Sequence, residues 1–557
     1  MRNIVHNVDL CVVGGGIAGL CTAVSAARHG IKVVLMQDRP VLGGNSSSEI
    51  RMWVCGANGE DVRETGIVEE LMLENYYRNP NHSYSIWDSV LYEKARYQEN
   101  LTLLLNCTCN KADAENGHIN SITGWQLTSE TWHEVRAKYF ADCSGDSILA
   151  PLTNAKYMLG REAKEEFGES IAPDVADKKT MGMSCLFQVR ETENPKPFIR
   201  PEWAYEYPDD SYLPFRHHQF DLENNFWWME LGGLQDSIHD TEELKDELLK
   251  IAFGVWDHVK NKGDHGYENW DLDWVGFVPG KRESRRYRGK YVITQKDVEA
   301  EGRFPDTVAY AGWTMDDHFP EGFYYQHGTS TIWHPAPSPW GIPWRSLISE
   351  NIDNLCFAGR NISTTHVALS STRVMATCGV IGQALGTGVA EAVKTNKALT
   401  DIDIPALQKK LMDDDCFIPF IKREPNELTM KASCNTEIIR NGIERGNENC
   451  YVGDEVVFSY ETAEKINEIR LVFDSNLNRE YDNMPSHFRL NEDQYYLPET
   501  IVKKYEIYAD GEKVLTVDNN RQRLCRHTLN VSAKKIEVKL LETHGAKEKR
   551  IYSVDLY

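Results

Sequence analysis

Residues 10–13 of this chain form a short uninterrupted apolar run that opens at once onto Gly14, Gly16 and Gly19, three glycines at G-x-G-x-x-G spacing. A run of that length reads as a strand buried on both faces, and the glycine spacing as the turn from such a strand into a helix. Gly14 permits the tight turn, Gly16 lets the backbone approach a pyrophosphate, and Gly19 lets the helix pack close to the strand. The orphan N–H groups and positive dipole end of that helix then hold the phosphates. Residues 20–29 are helix formers, Gly30 stands where a C-cap is expected, and residues 31–36 read as a second strand. The whole is a βαβ unit with a dinucleotide as its expected ligand, and a glycine-rich turn without a ligand is the alternative.

One such unit cannot account for 557 residues, so length predicts two to four domains. The 84 acidic against 61 basic residues, a net charge of −23, argue against nucleic acid or an anionic membrane surface as the main partner. No run of 18 apolar residues occurs and no leader precedes the first strand, so no spanning helix and a cytoplasmic location are expected. The 13 cysteines are odd in number and scattered, several in apolar contexts such as Cys11, Cys356 and Cys378. Buried thiols are therefore expected; no metal-spaced cluster is found, and no metal is expected.

The residue ending the second strand should bond the adenosine ribose. By position it is Gln37, with Asp38 next; a 2′-phosphate stays open, with Arg39 as its partner or as a solvated surface residue. With Gly43 and Gly44 following, the sequence resembles the glutathione-reductase-like flavoproteins, in which a second glycine pair lies along the pyrophosphate. That resemblance implies that the polar loop at 45–53, including Ser48, lies beside the flavin ring; a serine-rich turn is the alternative. Residues 138–146 resemble the flavoprotein strand that ends in an A-T-G-type turn, with Cys143 and Ser144 in place of the usual pair. Gly145 provides the close approach there, and Asp146 lies by the cofactor or caps the next helix.

Further on, Asn354-Leu355-Cys356-Phe357-Ala358-Gly359-Arg360 resembles the N-L-x-x-A-G-R strand by which such proteins return to the flavin. The resemblance implies that the helix at 374–390 points its N-terminus at the flavin pyrimidine. Its Gly379, Gly382, Gly386 and Gly388 each cost about 1 kcal/mol relative to Ala, so close packing on the cofactor or the first helix is expected, with Gly379 assigned to the cofactor. In this order the elements resemble, over residues 8–395, the broad FAD-dependent oxidoreductase family of bacterial carbohydrate-utilisation settings. The resemblance implies FAD and an α/β fold: a glutathione-reductase-type, Rossmann-like FAD domain at 1–180 and 345–400, with an inserted β-rich substrate domain at 181–344.

Within the insertion, residues 224–231 and 270–277 read as strands with aromatic faces, either core or stacking platforms for a sugar or the flavin. Residues 281–290 carry six cations, either a solvated face or an anionic subsite. After a linker at 401–428 the texture turns all β, with Asp510-Gly511 as a strong hairpin turn. Residues 429–557 resemble a discoidin-like, galactose-binding-like sandwich of short strands, for which a structural or interdomain role is favoured over sugar binding.

The expected reaction is oxidation of a hydroxyl-bearing carbon, on a small-molecule carbohydrate, by hydride transfer to flavin N5. His366, in the loop at 364–373 that the resemblance sets over the flavin, is the first choice of base; His327 and His318 come next. Arg373 stabilises the anionic reduced flavin or binds a substrate oxygen. A redox-neutral glycoside cleavage or elimination, and a carbohydrate-binding protein with structural FAD, are the alternatives. Oligomeric state is left open.

Overall fold

The apolar run at 10–13 is the buried end of a longer strand, β1 (Arg2–Val13), in a computed structural model that describes residues 1–219, 225–263, 265–480, 484, 487–491 and 494–557. The first half of β1 alternates exposed and half-buried residues because only one neighbour covers it. The second strand joins on its other side from Leu10 onward. Helix α1 (Ile17–Arg28) follows the glycine turn, then β2 (Val33–Met36), β3 (Leu101–Leu104), β4 (Cys107–Glu115), β5 (His118–Gln126), β6 (Thr131–Asp142) and, after the long insertion, β7 (Leu355–Phe357). The sheet runs β3-β2-β1-β6-β5-β4. Strands β3, β2, β1, β6 and β7 are parallel, and the hairpin β4–β5 covers the first half of β6 where β7 covers the second.

Register sets the site. Val13 lies opposite Met36 on one side and Asp142 on the other, and Asp142 lies opposite Phe357, so four parallel strands finish at one level. In sheets of this kind the crevice beyond the carboxyl ends is where ligands bind. On one face α1 packs along α2 (Met375–Thr395), and the glycines of α2 explain the closeness: an added Cβ would meet Ala18 O at 2.2 Å from Gly382 and Thr22 O at 2.2 Å from Gly386. At Gly388 it would meet the Trp344 ring, and at Gly379 the side chains of Val68 and Ile17. All four glycines serve helix packing, so the assignment of Gly379 to the cofactor is corrected.

The insertion has its own core of Met183, Phe187, Trp228, Leu248 and Trp256, against the helix Thr241–Asp257. Residues 308–311 and 340–347 instead pack into the core of the parallel sheet, and so do Leu407 and Leu411 of the helix Ile404–Asp413. The strand expected at 224–231 reduces to Glu230–Leu231. Phe226 takes a positive φ of 58°, which breaks the strand and sends Phe226 and Trp228 into the core, and Asn224 lies outside the described residues. The strand expected at 270–277 is present as Trp270–Val275.

The six cations of 281–290 form neither a solvated face nor one anionic subsite. Arg286 is buried between Glu162 and Glu283, Arg282 is capped by the Ser184 hydroxyl and the Trp227 carbonyl, and Arg288 pairs with Glu350. The run laces the insertion to the parallel-sheet domain.

The C-terminal region is one antiparallel seven-stranded sheet, in which two strands, Glu455–Phe473 and Leu524–Thr543, replace the expected short ones. Register shifts at Ser459/Glu464 and Ile466/Glu468 interrupt their pairing, and such irregularities bend a strand. Asp510 and Gly511 both have positive φ, as a two-residue hairpin turn demands. Buried arginines clamp this sheet to the rest: Arg479 to Glu69 at 2.6 Å, Arg523 to Asp415 at 3.0 Å and Arg470 Nε to the Asp413 carbonyl at 2.7 Å. Residues His487–Phe488 add a strand to the insertion's sheet. No described helix is long and apolar enough to cross a membrane.

Candidate active site

A cavity of about 640 Å³ lies where the four strands end, and its walls take in Gly14, Gly16 and Ala18 from one segment and Gly359 and Arg360 from another more than three hundred residues away. The two meet directly: a Cβ added to Gly359 would lie 3.3 Å from the Ala18 methyl. Gly43 N donates to the Gly15 carbonyl at 2.9 Å, so the second glycine pair, Gly43-Gly44, lies along the first turn.

The glycine turn fits a diphosphate. Helix α1 has no side-chain cap at Gly16, and Gly16, Ile17 and Ala18 all line the cavity, so its N–H groups and dipole face a space of the right place and polarity. A Cβ on Gly19 would fall 1.8 Å from Gly14 O and one on Gly14 2.5 Å from Cys143 O, whereas one on Gly16 meets only Gly44 Cα, at 3.9 Å. Gly14 and Gly19 are thus required by the protein itself, while at Gly16 the protein leaves room for a side chain on the wall of the cradle. Gly19→Ala is expected to cost about 1–3 kcal/mol or more by overpacking backbone, and Gly16→Ala to keep the thermal midpoint of the wild-type apoprotein while losing bound FAD. Parallel melting curves and flavin-to-protein absorbance ratios check both.

Other expected contacts change. Gln37 lines the cavity, but its amide is engaged in the turn: its Oε1 accepts from Gly15 N at 2.6 Å and its Nε2 donates to the Val41 carbonyl. It holds the glycine turn, and Asp38, exposed at the cavity rim with Arg39 Nε 3.9 Å from its Oδ1, presents the carboxylate there. Ser48 is not among the lining residues; its N–H donates to Asp88. Gly145 and Asp146 line the cavity, but Asp146 caps no helix. It is held between Arg360 at 2.5 Å and Lys281 at 2.7 Å, which outweigh burial and keep it well below the usual carboxylate range. The N–H of Leu149 goes to Asp142 instead.

The four candidates for catalysis separate. His366 is 3 % exposed and off the cavity, with Nδ1 on Glu283 at 2.9 Å and Nε2 on Asp317 at 3.0 Å. Burial would pull its pKa down, but the two carboxylates prevail and raise it to about 10, so it is a clamped cation with no free nitrogen to act as a base. His327 is exposed on a loop, also off the cavity. His318 and Arg373 do line it. His318 Nδ1 must donate to the buried Glu230 carboxylate, 2.7 Å away, which aims Nε2 the other way, with Asp316 Oδ1 at 3.6 Å. Arg373 bonds Asp316 at 3.0 Å, and its buried Nε has no partner among the described residues. Burial lowers the His318 pKa, but Glu230 and Asp316 together leave it raised above the ordinary value.

Trp53, Trp227, Trp313 and Trp333 also line the cavity, the buried Trp53 indole N–H without a partner and Trp227 edge-on to His318. Sequence spacing could not find Glu230, 88 residues from the histidine it orients.

A parallel sheet with a glycine cradle at its carboxyl edge, with His318 from the insertion and Arg373 from the turn before α2 reaching the same cavity, defines a dinucleotide-cofactor oxidoreductase. Residues 9–411 match the family described as FAD dependent oxidoreductase, and the chain belongs to that family; its cofactor is FAD. A glycerol-3-phosphate dehydrogenase of Mycobacterium leprae is 36% identical over 66 residues, which are 12% of this chain and 11% of that protein. The chain thus matches about a tenth of the length of that curated relative. Among solved structures, p-nitrophenol 4-monooxygenase PnpA of Pseudomonas putida aligns with 11% identity over 74% of this chain and 85% of that one, at a TM-score of 0.32. A family 32 carbohydrate-binding module of Streptococcus pneumoniae EndoD aligns with 13% identity over 22% and 92%, at 0.18.

Proposed function

We propose that the protein oxidises a CH–OH group of a sugar or glycoside, with the substrate held in the tryptophan-walled end of the cavity beside His318 and Arg373. The observation that carries this is the meeting, in one cavity, of the glycine cradle with a carboxylate-oriented histidine, an arginine with a spare donor and four indoles. Gly16, Gly44 and Gly359 would hold FAD, with Asp38 as the carboxylate for its ribose, and the bound cofactor would supply the hydride acceptor. His318 Nε2 takes the hydroxyl proton while Glu230 stabilises the imidazolium that forms. Arg373 Nε fixes the substrate oxygen, and Asp316 holds Arg373 in place. The indoles stack on the apolar faces of a pyranose and keep water from the reacting carbon.

The test is anaerobic titration of the yellow protein with a panel of monosaccharides, glycosides and polyol phosphates. Bleaching by at least one sugar or glycoside supports the proposal, and bleaching confined to non-carbohydrate alcohols overturns it. A pH profile follows from the raised pKa of His318: the unprotonated base becomes available only above it. The bleaching rate is therefore expected to climb with pH through a midpoint above the ordinary histidine value of 6.5.

A further inference from the structure

We propose that this protein carries a structural zinc ion, bound by Asp210, His218, His258 and His265 on the insertion, apart from the flavin cavity. One ligand atom from each lies within 4.8 Å of all the others. Asp210 Oδ1 is 3.2 Å from His258 Nε2, 3.4 Å from His265 Nε2 and 3.7 Å from His218 Nδ1. A tetrahedron built on zinc–nitrogen bonds of about 2.0–2.1 Å has an edge of roughly 3.3 Å, so the carboxylate oxygen already stands at ligand spacing from all three rings.

The rings behave as ligands without their ion. His258 is fully buried, and the Nε2 atoms that His258 and His265 turn to Asp210 are buried with no hydrogen-bond partner among the described residues, as is the outer ring nitrogen, Nε2, of His218. Burying three such groups is costly, and three imidazoles with centroids 4.9–5.1 Å apart do not satisfy one another. His258 Nδ1 bonds the Tyr207 carbonyl at 2.9 Å, the outer bond that fixes the tautomer and aims Nε2 of a metal-bound histidine. His258 also opens the π-helical turn His258–Lys262 at the end of the helix Thr241–Asp257, a distortion common at functional positions. Asp210 alone is exposed and gives the ion its entrance. Three neutral imidazoles and one carboxylate, filling four positions, suit Zn(II) in a closed site.

The ion has work to do there. It ties the loop at 210–218 to the end of that helix, and Arg216 of the loop donates to the carbonyls of Gly322, Phe323, Tyr325 and Gly328. Those residues connect the paired strands Met315–His318 and Thr331–His334, so the staple steadies the hairpin that carries Asp316 and His318.

The experiment uses the full-length flavoprotein, exposed to Zn(II) and then desalted. One zinc per chain is expected in the wild type and its loss in Asp210→Asn and His265→Ala, with FAD content unchanged in all three. Since a variant can misfold, Co(II) is also added to the metal-free wild type, where a tetrahedral d–d band, displaced by Zn(II), is expected. Wild type with no more zinc than the variants, or with no such band, overturns the proposal.

Discussion

Replacing His318 with asparagine is expected to slow substrate-dependent flavin bleaching by about 10²–10⁴-fold while leaving the bound-flavin spectrum unchanged, since that is the usual share of a positioned acid–base group. The spectrum is retained because His318 lies on the insertion's hairpin and the cradle is built by other segments, Gly14 to Ala18 and Gly43 to Gly44. The deficit should fall on the limiting bleaching rate rather than on the substrate concentration giving half of it, because a group that acts on the proton in flight changes kcat more than binding. Glu230→Gln separates proton transfer from packing. It keeps the shape and removes the charge that raises the His318 pKa, so the rising limb of the pH profile should move downward while the variant still reduces its flavin. If asparagine at 318 leaves the limiting rate within twofold of wild type, His318 is not the base.

What sequence could and could not foresee divides along a physical line. The cradle was legible because each glycine answers to a local constraint: Gly14 and Gly19 sit against backbone within a few residues or on the adjoining strand, and the motif records that. The return of Gly359 was legible through the resemblance of residues 354–360 to the flavoprotein strand, and β7 does join the same parallel sheet. The polar chemistry was not. His366 was expected over the flavin and His318 in the substrate pocket, both as candidate bases. What separates them is the set of carboxylates each meets: Glu283 and Asp317 close off both nitrogens of one, while Glu230 takes only the inner nitrogen of the other. Those partners come from 83, 49 and 88 residues away, where no periodicity reaches. Gln37 is the opposite case: its position after the second strand suggests the ribose, but the Gly15 N–H, 2.6 Å away, takes its oxygen.

His366 keeps a role, and its removal is the second large effect. The imidazolium joins Glu283, on the cation-rich segment that laces the two lobes, to Asp317 on the hairpin that carries His318, and the backbone N–H of His366 donates to Glu162. Arg286 sits between the same Glu162 and Glu283, so His366→Ala leaves buried carboxylates short of a counter-charge rather than merely opening a small hole. Breaking a buried pair by deleting one partner costs about 3–5 kcal/mol, and that is the loss expected in denaturant unfolding near pH 6. The pH dependence fixes the cause. Because the folded-state pKa is about 10 against 6.5 for a free histidine, the stabilisation is whole below pH 6.5 and drains away as pH rises toward 10. The gap between wild type and His366→Ala should therefore narrow steadily across that window, whereas a gap from lost packing alone would stay constant. Bleaching in His366→Ala, measured at a temperature where the variant is folded, should fall far less than in His318→Asn, since the deleted ring touches neither the cavity nor His318 Nε2.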